Sequence, residues 1–209
     1  MALLIAPTLL NSFDWLNRCP SSWKERAYDS ILSTLNREPF VMNEAIKKGQ
    51  DFEREVYRLA NTDLDELDSS EMFKQVCRRV RGFDYQKSLK YFFEVDGVEY
   101  VCFGRTDCYS EKEIVDIKTT ANFKGDNQYL NGWQHIFYPT MANVPDFTYL
   151  VVEWAEDGSM GAIHEVKHKM ESLEENLKII GEGIRNFIEY IEHDDKMKTA
   201  YYTKYNRRR

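Results

Sequence analysis

Two acids and a lysine stand close together near the middle of the chain. Asp107 closes the segment Gly104-Arg105-Thr106-Asp107, and Asp116 and Lys118 lie in Ile114-Val115-Asp116-Ile117-Lys118-Thr119-Thr120. The second segment reads as a strand, in which alternate side chains share a face. Asp116 and Lys118 then point one way, and Val115 and Ile117 the other. Charge on an apolar strand is costly unless it is paired or bound to a metal. A salt bridge at a sheet edge would meet that need. So would phosphodiester hydrolysis. Two carboxylates can hold Mg2+ or Mn2+, which prefer oxygen ligands, against a phosphate oxygen. The ion polarises phosphorus and lowers the pKa of a bound water. A lysine beside it can position that water or stabilise the charge building on the phosphate. Asp107, at the end of the adjacent strand, would reach the same ion.

The flanking sequence supplies the elements that must position these groups. Pro20 and Pro39 bracket a helix with Ala27, Ile31 and Leu35 at helical spacing. A second helix is predicted from about Asn43 to Ala60, with Ile46, Phe52, Val56 and Leu59 as its apolar stripe. A third, short helix follows Ser69 and Ser70. The period then changes. Asp96-Gly97 between apolar runs is a hairpin signal. Tyr100 to Asp107 reads as one strand and Glu113 to Thr119 as the next. A helix is expected from about Gly125 to Ala142, kinked or ended by Pro139. Asp146 to Trp154 and Met160 to Lys167 read as partner strands, and a long helix spans about Ser172 to His193. The order predicts an α/β chain with one mixed sheet flanked by helices. We read it as a single domain, with an N-terminal helical segment over 1–42 and a basic tail over 196–209.

Composition narrows the function classes. The chain has 209 residues, 43% hydrophobic and 14% aromatic, enough for a sizeable core. No apolar run reaches the roughly 18–20 residues of a membrane span. Met1 to Leu10 lacks the features of a signal peptide, so no membrane partner and a cytoplasmic residence are expected. The four cysteines, Cys19, Cys77, Cys102 and Cys108, form no CxxC pair and read as buried thiols. A net charge of -7 argues against a surface coated with nucleic acid. The charge is uneven, however. Lys74, Arg78, Arg79, Arg81, Lys87 and Lys90 face only Asp84 between 74 and 90, and Lys196 to Arg209 carries no acid.

Taken as an ordered set, Gly104-x-x-Asp107, Asp116-Ile117-Lys118 and Gln134-x-x-x-Tyr138 resemble the PD-(D/E)XK nuclease superfamily, most of all its RecB-type and lambda-exonuclease-like branch. The resemblance is densest from about Gly49 to Tyr138. It implies a restriction-endonuclease-like αβββαβ core and a metal-dependent DNA nuclease, an exonuclease of phage or recombination and repair type. It implies Asp107 and Asp116 as metal ligands, with the Ile117 carbonyl as a third, and Lys118 as the catalytic lysine. Glu53 resembles the acid on the helix before the sheet that faces the metal. Gln134 and Tyr138, one turn apart on a helix, would lie beside the site and hold substrate or catalytic groups. The expected cofactor is Mg2+ or Mn2+, and the expected partner is single- or double-stranded DNA, with a homo-oligomer or a recombination protein as further candidates. The chain also departs from the pattern. Phe52 stands near the position of a metal-binding histidine in many RecB-type members, Thr106 replaces the proline, and no cysteine after Cys108 could complete an iron–sulfur cluster.

Other residues carry weaker expectations. His135, next to Gln134, projects away from it and reads as a surface or core residue. His164 and His168 lie four apart without an evident third ligand. Trp133 and Phe137 read as core. Tyr201, Tyr202 and Tyr205 in the basic tail could stack on bases, or belong to a loose tail. Arg105 is a candidate phosphate contact. The rival function is a catalytically silent module on the same fold that grips nucleic acid or protein through Arg78 to Arg81.

Overall fold

The computed structural model describes residues 2–39 and 41–207. The chain opens with β1 (Leu3–Ile5), α1 (Pro7–Arg18), α2 (Lys24–Leu35), α3 (Glu44–Leu59) and α4 (Glu71–Arg79). Side-chain caps start α3 and α4. Asn43 accepts a hydrogen bond from the Ile46 N–H at the head of α3, and Ser70 accepts one from the Phe73 N–H at the head of α4. Next come β2 (Asp84–Tyr85), β3 (Ser88–Val95), β4 (Val98–Arg105), β5 (Cys108–Tyr109) and β6 (Glu113–Thr120). The β3–β4 hairpin turns at Asp96 and Gly97, both at positive φ (52° and 78°), as a tight hairpin demands.

The strands form two sheets, not one. β1, β4 and β3 make a three-stranded sheet; β2, β5, β6, β7 and β8 make a five-stranded one. β7 is Asp146–Trp154 and β8 is Met160–Lys169. The mixed α/β architecture is as expected, but the strand predicted over 100–107 leaves one sheet and joins the other. The crossing is bridged by two backbone hydrogen bonds, from Thr106 N–H to the Lys87 carbonyl and from Gln86 N–H to the Asp107 carbonyl, each 3.0 Å.

β6 runs parallel to β7 over its whole length but antiparallel to β5 only at Ile114 and Val115. Its two faces are both covered. Val115 and Ile117 pack against α3 and α4 with Phe52, Val56 and Val76. Ile114 joins the larger core with Phe137, Phe147, Tyr149 and Phe187. Asp116 and Lys118 therefore belong to the face of that larger core, as the alternation predicts.

The helix expected over about 125–142 is two helices, α5 (Asn127–Leu130) and α6 (Gln134–Ala142). Long-range bonds hold the break open. Trp133 N–H donates to the Asn11 side chain and Trp133 Nε1 to Asp14, both on α1. Pro139 lies inside α6 without ending it; the helix stops at Asn143, a left-handed cap at φ 52°. The chain ends in α7 (Leu173–Glu192) and α8 (Asp195–Ala200), then a π-type turn over Tyr201–Tyr205. Ser172 caps α7, and Ile180, Ile184, Phe187 and Ile191 form its buried stripe.

The basic tail is thus corrected. Residues 195–205 are helical, and Tyr201 and Tyr205 join the main core, with Tyr201 fully buried. Their spacing of four places both rings on one side of a helix, so they stack on each other and not on bases. Tyr202 stays partly exposed, hydrogen-bonded to Glu192. Arg208 and Arg209 lie outside the described residues. No helix among the described residues is long and apolar enough to cross a membrane.

The packing of α7 on Trp133 depends on one glycine. A Cβ on Gly183 would come within 2.2 Å of the Trp133 ring, whereas one on Gly181 meets nothing closer than 3.7 Å. Gly183→Ala is expected to cost about 1–3 kcal/mol by overpacking. Gly181→Ala should be neutral or stabilising, because alanine is the better helix former. Urea unfolding of the two variants checks the contrast.

Candidate active site

Beyond Val115, the edge of β6 that faces away from β7 has no strand beside it. The chain that would fill the gap turns aside at Thr106, whose N–H is taken by Lys87. The Asp107 side chain replaces it: its Oδ2 accepts a hydrogen bond from the Ile117 N–H at 2.9 Å. In a strand the carbonyl of a residue points to the same neighbour as its N–H. The Ile117 carbonyl therefore opens towards Asp107.

Gln86 holds the other side of Asp107. Its Nε2 approaches Asp107 Oδ1 at 3.4 Å and donates to the Tyr57 hydroxyl at 3.0 Å. Its backbone is in the left-handed region at φ 55°, a conformation uncommon for a glutamine and frequent at functional sites.

Asp116 is almost fully buried. Its Oδ1 accepts a hydrogen bond from Gln134 Nε2 at 3.1 Å. Its Oδ2 forms an ion pair with the Lys118 ammonium. α6 presents Gln134 and, one turn on, Tyr138. The Tyr138 ring lies flat enough on β4 that a Cβ at Gly104 would be 2.5 Å from it. Gly104 is therefore the residue that lets Tyr138 reach the site.

Glu53 comes from α3, on the opposite face of the sheet, and enters through the gap beside β6. With Arg105, Asp107, Tyr57, Gln86 and Tyr138 it lines an open pocket of about 510 Å³. A second pocket continues past Glu53 to Ile117 and Lys118. A third continues past Lys118 to Gln134, Tyr149, Asn11 and Arg18. The three together make a run of open surface across the acids and the lysine.

These charges feel one another. Burial, reinforced by Asp116 and Glu53, holds the Asp107 carboxyl well above the usual carboxylate range, against the pull of Lys118. Glu53 is raised too, first by burial and then by Asp116, with Lys118 opposing. Burial alone would lower the Lys118 ammonium, but Asp116 and Asp107 more than offset this and hold it above the ordinary lysine value. Burial and the nearby Asp107 and Glu53 raise the Tyr57 phenol, so it remains protonated.

The structure thus brings together Glu53, Asp107, Asp116, Lys118, Gln134 and Tyr138, with the Ile117 backbone between the two aspartates. It adds Gln86 and Tyr57, which sequence reasoning missed. The basic segment is a different matter. Arg78 pairs with Glu71 and Asp65, and Arg79 is held between Glu113 and Glu165. Arg81 hydrogen-bonds the Thr62 carbonyl. Arg79 is thereby held into the fold, whereas Arg78 and Arg81 stay exposed at its surface. His135 is a core residue, its imidazole pushed down to about 4 by burial and by His168. His164 pairs with Glu153 and stacks on Phe123, so His164 and His168 form no joint site.

Among the described residues no three His, Cys, Asp or Glu side chains gather at metal-ligand spacing. The donor set is smaller: the Asp116 carboxylate, whose Oδ2 is shared with Lys118, the carboxylate of Asp107 and the carbonyl edge at Ile117. That set fits Mg2+ or Mn2+. Mg2+ commonly takes one or two carboxylates and keeps several waters, and carboxylate, carbonyl and water ligands suit Mn2+ as well.

No protein-family model matches the chain, and no curated protein matches it in sequence. Solved structures do. The chain is similar to the protein designated SSO0001, at 13% identity and a TM-score of 0.51, over 91% of this chain and 77% of that one. It is similar also to a phage related exonuclease from Haemophilus somnus 129PT, at 13% identity and a TM-score of 0.45, over 91% and 96% of the two chains. The first likeness shows a shared fold and nothing of the chemistry.

The raised Asp107 has a consequence for stability. A carboxyl whose folded pKa exceeds its unfolded one binds its proton more tightly when folded. Its contribution is full below the unfolded value of about 3.9 and is lost as pH rises through the folded value. In EDTA, Asp107→Asn should therefore raise Tm at neutral and mildly alkaline pH, by a few degrees. It should also flatten the fall of Tm with rising pH. Differential scanning fluorimetry across pH 5 to 9 reads both effects.

Proposed function

We propose that the chain is a Mg2+- or Mn2+-dependent nuclease that hydrolyses phosphodiester bonds in DNA. One observation carries the proposal: the buried Asp116 carboxylate, paired with Lys118, lies close enough to Asp107 and Glu53 that all four groups act on one another's charge. A structural ion pair needs no second acid on the adjoining chain and no third acid brought through the sheet. The resemblance to PD-(D/E)XK nucleases supports the same assignment.

Asp107, Asp116 and the Ile117 carbonyl would hold the ion, with Glu53 facing it. When bound, a divalent ion polarises a phosphoryl oxygen and acidifies water. The remaining work falls to the chain. Lys118 stays charged at neutral pH because two carboxylates hold its proton. It therefore serves as a fixed positive charge for the pentavalent transition state and for orienting the attacking water, not as a base. Gln134 fixes Asp116 through Oδ1 and so orients Oδ2 towards Lys118. Gln86 and the Ile117 N–H orient the Asp107 carboxylate from two sides. Arg105 lies in the same pocket as Asp107, at a suitable place to meet a neighbouring phosphate. Water oxygen bonds to phosphorus as the ester P–O bond breaks; the attacking water gives up a proton to solvent, and the departing alcohol oxygen takes one up from solvent.

The exonuclease reading rests on the resemblance to the RecB-type and lambda-exonuclease-like branch. It is tested with end-labelled linear DNA and covalently closed circular DNA in Mn2+: linear DNA should be degraded and the circle should survive. Asp116→Asn and Lys118→Ala should each lower cleavage by roughly 10²-fold or more, the scale for removing one transition-state contact, with an unchanged circular dichroism spectrum. Wild-type rates in both variants would defeat the assignment. DNA binding without cleavage in any divalent metal would make the chain a silent binding module instead.

A further inference from the structure

The outer face of the β3–β4 ribbon carries a cluster that no part of the proposed chemistry uses. Phe92 and Phe103 are 51% and 50% exposed, although the ribbon's other face is packed with Tyr91, Phe93, Tyr100 and Cys102. In the β3–β4 register Lys90 stands opposite Phe103, Phe92 opposite Val101, and Ser88 opposite Arg105. Directly opposed residues share a face, so Arg105, Phe103, Lys90 and Phe92 form one stripe. The Lys90 ammonium lies 4.6 Å from the Phe92 ring centre and 5.2 Å from that of Phe103.

The stripe leads from the candidate active site. Arg105 lines the pocket that holds Asp107 and Glu53. Phe103 is two residues further along the same strand, about 7 Å away, and Phe92 lies diagonally beyond it on β3. Neither Lys90 nor Arg105 is in an ion pair among the described residues, in contrast to Arg78 and Arg79. Glu94 and Glu99 pair across the ribbon next to Phe92 and close the far end with negative charge.

We infer that this stripe is a stacking track for single-stranded DNA entering or leaving the catalytic pocket, an inference that rests on the nuclease reading. Exposed aromatic rings beside unpaired cations suit bases and phosphates respectively. A duplex hides its base faces in its own stack and offers no such fit. A protein partner fits less well, because a lysine occupies the middle of the patch, and charge is depleted from the centres of protein interfaces. The track holds about two bases, one for each ring, and Lys90 neutralises phosphate between them.

The test measures binding in EDTA, so that it does not depend on cleavage. A fluorescein-labelled thymidine oligonucleotide of about twelve residues is titrated with wild type, Phe92→Ala, Phe103→Ala and the double variant, and fluorescence anisotropy gives Kd. Each single change should weaken binding roughly 5- to 150-fold, the range for loss of one base–aromatic stack. The double variant should be weaker still, and Phe103→Trp should restore binding. Duplex of the same length should respond little. Both rings are exposed, so Tm should hold. Wild-type affinity in the double variant, or no binding of single strands by wild type, would overturn the track. So would an unchanged Kd with a shift in sedimentation coefficient, which would make the face a contact between copies. Binding through the rings in a protein that cleaves nothing would keep the track and remove the nuclease reading.

Discussion

The candidate site depends on one hydrogen bond, from the Ile117 N–H to the Asp107 carboxylate. At this point the strand beside β6 turns away into a second sheet, and a side chain takes the place of the backbone. An ordinary ladder would have covered the β6 edge with paired N–H and carbonyl groups. Here the edge stays open from Asp116 onward, because β5 has ended. Everything at the site uses that gap. Asp107 reaches into it from the crossing strand, Glu53 enters it from α3 on one face, and Gln134 and Tyr138 close over Asp116 from α6 on the other.

The arrangement stores electrostatic cost. Burial first, and the neighbouring acids after it, hold both Glu53 and Asp107 above their usual pKa, with Lys118 opposing. Burying such charges disfavours the fold unless they are paired. Two core clusters carry that cost, one on each face of the five-stranded sheet. α1, α7 and the C-terminal turn enlarge the first of them, and they pin the α5–α6 break through Trp133. That break sets where α6 begins, and so where Gln134 meets Asp116. The N-terminal helices thus act on the site through packing and contribute Asn11 and Arg18 to its rim.

Much of the site was legible in sequence because its spacing is local. A period of two put Asp116 and Lys118 together, and a separation of four put Gln134 and Tyr138 on one side of α6. What stayed hidden was set by contacts between distant segments. The run from Lys74 to Lys90 looked free because the acids that neutralise Arg79, Glu113 and Glu165, are remote in the chain. The split of the predicted single sheet needed the left-handed Gln86, and nothing marks a glutamine for that conformation. The aromatic tail did carry a signal. Tyr201 and Tyr205 are four apart, the spacing of a buried helical face, and their burial follows from it.

The central claim is that the open β6 edge, with Asp107 and Asp116, is a divalent-cation site. Isothermal titration of Mn2+ into wild type, Asp107→Asn and Asp116→Asn tests it without reference to any substrate. The account predicts saturable binding to wild type near neutral pH, lost or weakened at least roughly tenfold in both variants while the fold is retained. Tight binding that both variants preserve, or no saturable binding to wild type, would contradict it.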